Sequence, residues 1–375
     1  MFEAIRNNDI EKIKELIDNG VDVNIQGRHR CMPLHYAKNY GVAKLLLDNG
    51  ANVNIQDVFG STPLHYADDY EVVKLLLERG ANVNIQDKFG KTPLHWAKSC
   101  DIAKLLIDNG ADVNAKSTVN FTKFHTDNDR DTPLHNVIRY EKYEYDNYEI
   151  AKFFLEHGAD VNARDRCGLT PLHYACKNGY IDIIKLLIDH SADVNAKDNS
   201  VETPLHCAKD VKTAKLLLEY GAGVNAKDKW GATPLYYVKD YEVAKFLIDN
   251  GADANAKDNS GKIPLYFAND AKIAKLLLEY GADVDAEDEY GETPIHFTNN
   301  YEVAKFLLDN NADANAKDNY GDTPLHLVNN HEIIKLLIER GANVNAKDTD
   351  GYIPLHYLIK HNQSINLIKS LLSFY

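Results

Sequence analysis

Nine of the fifteen histidines recur in one short motif, at His35, His65, His95, His135, His173, His206, His296, His326 and His356. Imidazoles in series suggest a metal. A zinc ion, however, needs its ligand nitrogens about 2.0–2.1 Å away, and elements stacked roughly 8–10 Å apart cannot bring one histidine each to a single ion. Tyr236 and Tyr266 fill two of the slots, as expected if the series holds neighbouring loops by hydrogen bonds. Other motifs fail on spacing. Gly90-Lys91-Thr92 lacks the glycine five positions earlier that a phosphate loop needs, because Ile85 stands there. His331-Glu332-Ile333-Ile334-Lys335 lacks the second histidine of a zinc protease. Asn120-Phe121-Thr122 and Asn362-Gln363-Ser364 are glycosylation acceptors only in a secretory lumen. No grouping of nucleophile, base and orienting residue stands out, so no catalytic residue, metal ligand or cofactor is expected.

Composition narrows the class further. Over 375 residues, 42 Lys and Arg stand against 56 Asp and Glu, a net charge of −14, with 44% hydrophobic and 26% charged residues. These are the proportions of a folded chain. The negative charge disfavours nucleic acid, whose phosphates are held largely by Lys and Arg. No apolar run approaches the roughly 18–20 residues of a membrane span, and the opening Met1-Phe2-Glu3-Ala4-Ile5-Arg6 lacks the basic-then-apolar order of a secretory signal. Cys31, Cys100, Cys167, Cys176 and Cys207 are odd in number and sparse, which predicts free thiols in a cytoplasmic setting.

The elements that carry these residues are set by a repeat. All eleven prolines sit in variants of Thr-Pro-Leu-His, and successive spacings are 30, 30, 40, 38, 33 and then 30 throughout. A second ladder of lysines, from Lys14 to Lys369, each before a Leu- or Phe-rich triplet such as Leu75-Leu76-Leu77, gives twelve units. A fixed period of this size marks a solenoid. Within a unit, Thr62 can cap a helix with Pro63 at its first position, and Val72, Leu75 and Leu76 form the apolar stripe of a second helix. Gly80 fills the left-handed position after that helix; nine of eleven junctions hold Gly there, Ser191 and Asn311 being the exceptions. The extended run Ala81 to Gly90 reads as a β-hairpin-like finger leading to the next Thr92-Pro93-Leu94-His95.

The pattern G-A-D-V-N-A-K-D-x-x-G-x-T-P-L-H, nearly unbroken from Gly221 and again from Gly251, resembles the ankyrin repeat over essentially the whole chain. The resemblance implies an all-α repeat solenoid of stacked helix-turn-helix units with β-hairpin-like fingers, used to grip other proteins. It also implies a single array over 1–375, with an N-terminal cap at 1–24 and a C-terminal cap at 355–375. Most units are three residues short of the family length of 33. Comparing His173 to Ile181 with His65 to Tyr70 places the loss at the end of the first helix, predicting stunted first helices. Tyr40, Tyr70, Tyr148, Tyr241 and Tyr301 then read as core-forming lids over the shortened pairs. Two insertions interrupt the array: an extended finger at 117–126 containing Phe121 and Phe124, and a Tyr-rich turn at 136–150 containing Tyr143 and Tyr145. Loops longer than their family length often carry function.

Variable slots suggest where a partner is held. Five finger tips carry an aromatic, Phe59, Phe89, Trp230, Tyr290 and Tyr320, two of them beside Lys88 and Lys229, where turn tips are normally polar. Residues 281–322 hold eleven carboxylates against Lys305 and Lys317, a net of −9, including Asp285, Glu287, Glu289 and Glu292. A basic partner docking there would gain on-rate from steering. The expected function is a non-enzymatic protein-protein interaction scaffold for another protein or peptide. An inhibitor occluding a partner's active site, or an enzyme using the inserted loops, are the alternatives. Its enrichment in Asn, Lys, Ile and Tyr resembles that of ankyrin proteins of intracellular bacteria, implying an effector delivered into a host cytosol. A monomer is expected, with weak self-association through the C-terminal cap.

Overall fold

The computed structural model describes residues 1–118, 130–139 and 147–360. It divides into two compact units, Met1–Asn199 and Ser200–Tyr375. Among the described residues there are helices and turns but no β-strand, so each finger is a tight turn rather than a paired ribbon.

Most described repeats contribute a nine-residue second helix, such as Tyr40–Asp48, Tyr70–Glu78 and Cys100–Asp108; Asn147–Glu156 has ten. Their first turns are capped by Asn39, Asp69 and Ser99, whose side chains accept the backbone N–H three residues on, satisfying donors that a helix start leaves open. The apolar stripe faces inward as expected: Val72, Leu75 and Leu76 are buried, as are Leu46 and Leu106 in the flanking repeats. Burying a Leu side chain contributes about 1.5–3 kcal/mol, so these stripes hold consecutive repeats together. After the helix, Gly80 adopts φ +84°, and Ala81 N–H bonds back to the Leu76 carbonyl at 2.9 Å. Ser191 and Asn311 take the same left-handed conformation at φ +69° and +68°.

First helices come in two lengths. Pro63–Tyr66 and Pro93–Trp96 are single turns of four residues, whereas Pro171–Asn178 has eight and Pro133–Arg139 seven. In the short form Ala67 turns extended immediately, at ψ +124°. In the long form the helix continues to a left-handed Gly179. The proposed tyrosine lids are a correction. Tyr40, Tyr70 and Tyr148 are 40–44% exposed, and Tyr241 and Tyr301 only half-buried. They lie at or near the start of the second helix, outside its inward stripe, and in the repeats of Tyr40, Tyr70, Tyr241 and Tyr301 the truncated first helix leaves their rings uncovered.

The capping also differs from expectation. His65 supplies it: Nδ1 accepts the Thr62 N–H at 3.0 Å, and Nε2 donates to the Lys91 carbonyl of the next repeat at 3.1 Å. His35, His95, His135, His206, His296 and His326 repeat the arrangement. Tyr236 and Tyr266 reach the same carbonyl level through their hydroxyls, at Lys262 and Glu292. The histidine series is therefore structural cement, with both ring nitrogens used. Burial lowers His35 and His296 below the ordinary imidazole value and takes His65 to about 4, His95 to about 3 and His135 to about 4.

Candidate functional site

A finger is closed by its aspartate. Asp57 N–H bonds to the Ser61 carbonyl at 3.0 Å, while Asp57 Oδ1 accepts the N–H groups of Phe59 and Ser61 at 2.8 and 3.0 Å. The tip residue thus has no backbone freedom left. Consecutive tips are also joined: Lys88 N–H donates to the Phe59 carbonyl, Asn259 N–H to Trp230, Asn319 N–H to Tyr290 and Thr349 N–H to Tyr320, at 2.8–2.9 Å. Close approach fixes the glycine as well. At Gly90, φ is +69° and a Cβ would lie 2.1 Å from the Thr118 nitrogen.

On this scaffold Phe59, Phe89, Trp230, Tyr290 and Tyr320 expose 41–59% of their surface. Phe59 leans on His29 of the preceding finger, with ring centroids 5.8 Å apart. Phe59 and Phe89 sit on consecutive fingers of the first unit, and Tyr290 and Tyr320 on consecutive fingers of the second. Lys88 and Lys229 are exposed beside them. Phe121, Phe124, Tyr143 and Tyr145 lie outside the described residues, as do most of both insertions and the C-terminal cap beyond 360. The described base of the longer finger keeps the usual closure, Ser117 N–H to the Asp131 carbonyl at 2.9 Å.

A second exposed row escaped the sequence reading: Tyr66, Trp96, Tyr237, Phe267, Phe297 and Leu327, each directly after the histidine slot. Its signal was present in Pro-Leu-His-x, where x is repeatedly aromatic. In the long helix the same residue, Tyr174, is buried. The two rows are tied together, because the Tyr66 hydroxyl donates to Asp57 Oδ2 at 2.7 Å and Tyr237 does the same to Asp228.

The acidic segment separates into two kinds of carboxylate. Glu287 and Glu289 face solvent. Asp285 and Glu292 are half-buried, and burial raises both above the usual carboxylate range. Asp285 Oδ1 also accepts the Asp313 N–H at 3.0 Å, part of a series in which finger asparagines such as Asn54 bridge to the next repeat.

Against known proteins, the family model for ankyrin repeats matches in overlapping copies over residues 1–87, 57–117, 117–198, 142–228, 207–288, 232–318 and 295–375. The chain is an ankyrin-repeat protein. No curated protein matches it. Among solved structures, the ankyrin repeat domain of human ASB11 is similar at 27% identity, covering 59% of this chain and 97% of that one, with a TM-score of 0.49. Among the described residues of this ankyrin-repeat protein, no helix is long and apolar enough to cross a membrane.

Proposed function

We propose that this ankyrin-repeat protein is a non-enzymatic protein-binding scaffold whose contact surface within each unit is its fingertip residues together with the aromatic residues that follow its histidine slots. The observation that carries this reading is that five large rings stand about half-exposed on tips whose backbones are locked on both sides. Aromatic side chains held in this way lose little conformational freedom on binding, which lowers the cost of association. Exposed Glu287 and Glu289 favour a basic partner at the second unit. Binding there should slow as salt is added. An effector acting on host proteins is the finer form of the reading and rests on composition alone.

The test is affinity capture with mass spectrometry from source-cell and eukaryotic lysates, beside a folded variant with Phe59, Phe89, Trp230, Tyr290 and Tyr320 changed to Ala. Loss of a partner by the variant supports the fingertip surface. Retention of every partner overturns it, and capture only from eukaryotic lysate supports the effector form.

A further inference from the structure

The residue immediately before each Thr-Pro or Ile-Pro is where a finger returns to its first helix. A charge there meets finger aspartates and the residue after the histidine slot one repeat on. Lys262 shows the geometry: its Nζ lies 3.6 Å from Asp288 Oδ2 and 3.9 Å from the Phe297 ring centroid. At Lys91 the ammonium is likewise internal, donating to Asn136 Oδ1 at 2.9 Å.

At Asp131 an acid takes the slot, and the chain supplies the cation from its own first helix. Asp131 is fully buried, and Arg139 NH1 pairs with its Oδ2 at 2.8 Å while the guanidinium lies 4.5 Å from the Tyr174 ring centroid. Arg139 is the seventh residue of the long first helix Pro133–Arg139. The equivalents at Pro294–Phe297 and Pro324–Leu327 stop after four residues and have no such position. Yet Glu292 and Asp322 hold acids in this slot. Glu292 faces Asp288 and Asp318 and shares the one nearby ammonium, Lys262, with Asp288, which holds it at 3.6 Å, and Asp322 faces Asp318, Asp348 and the neighbouring His326. Among the described residues no ion pair reaches either. Asp322 is 7% exposed, its Oδ2 takes the Tyr357 hydroxyl at 3.3 Å, and its Oδ1 has no hydrogen-bond partner.

We propose that Glu292 and Asp322 form a receptor for cationic side chains of a partner, arginines or lysines of an extended segment laid along the short first helices beside Phe297 and Leu327. The incoming charge would do from outside what Lys262 and Arg139 do from within. Repeats roughly 8–10 Å apart match one turn of polyproline II, three residues at about 3.1 Å each, which returns every third side chain to the same face, so the preferred segment is of that form and carries cations three residues apart. This rests on the protein-binding reading above.

The probe is fluorescein-labelled deca-arginine, titrated by anisotropy against the full chain at two salt concentrations. Asp322→Asn with Glu292→Gln should weaken binding at least tenfold. Glu242→Gln with Glu302→Gln removes the same charge from exposed second-helix positions and should change it less than threefold. A third variant, Leu327→Arg, keeps both acids but supplies an internal guanidinium, and should also lose the probe. Circular dichroism and Trp230 emission confirm folding. Equal loss in both charge-removing pairs, no saturable binding to the native chain, or full binding by Leu327→Arg overturns the proposal. A captured protein partner that survives Asp322→Asn with Glu292→Gln removes this receptor from its recognition and leaves the scaffold reading standing.

Discussion

Lowering the pH from 7 to 5 protonates His65, His95 and His135 in an unfolded chain but not in the folded one, where burial keeps them neutral. Each histidine then titrates near its ordinary 6.5 when unfolded, against about 4 for His65, about 3 for His95 and about 4 for His135 when folded. A group lowered by folding contributes stability above its unfolded pKa and loses it as pH falls toward the folded value. Over this window each of the three costs about 2 kcal/mol, or about 6 kcal/mol together. Asp131 works the other way: burial raises it from 3.8 to about 6, so acid favours the folded form by about 1 kcal/mol. His35 adds to the loss, while Asp87 and Asp165, also raised by burial, offset part of it. His65, His95, His135 and Asp131 together should cost the first unit about 5 kcal/mol.

The second unit should respond less. Tyr236 and Tyr266 do not titrate in this range, His296 is lowered, and Asp285, Glu292 and Asp322 are raised by burial and oppose it. The two tryptophans, Trp96 and Trp230, lie one in each unit. Urea unfolding followed by tryptophan emission, using Trp230→Phe to watch the first unit and Trp96→Phe to watch the second, separates them. With a denaturant slope of about 3 kcal/mol per molar, the first-unit midpoint should fall by about 1 M or more between pH 7 and 5. An unmoved first-unit midpoint, or an equal fall in both, would refute the reasoning.

Three further outcomes follow from the same contacts. His65→Ala leaves the Thr62 N–H and the Lys91 carbonyl without their buried partner and should cost about 2–4 kcal/mol, read by urea unfolding at pH 7. Gly90→Ala forces a left-handed alanine against the Thr118 backbone; it should cost at least about 1–3 kcal/mol, whereas Gly80→Ala, with open space around it, should cost less in the same assay. Arg139→Met strips the cation from buried Asp131 and should cost about 3–5 kcal/mol at pH 7, with much of the loss recovered in Asp131→Asn with Arg139→Met.

The repeat, its two helices and the truncation of the first were legible because they are periodic in sequence: proline marks one helix start and Leu-Leu-Leu fills one stripe. Exposure was less legible, because it depends on what the neighbouring repeat covers. The tyrosines at 40 and 70 look like core residues by type but face water, since the missing helical turn is what would have covered them, and Tyr148 is exposed as well. The row from Tyr66 to Leu327 was missed for the same reason. A residue buried at Tyr174 in the eight-residue helix becomes a surface in the four-residue one. Losing those residues therefore does two things at once. It opens exposed rings, and it removes the position from which Arg139 neutralises an acid, so that among the described residues Glu292 and Asp322 have no ion pair, Lys262 being shared with Asp288. Other short repeats fill that slot with Ser61, Ala232 or Lys262. The acids at 292 and 322 make the truncated repeats of the second unit the place where an outside charge has most to gain.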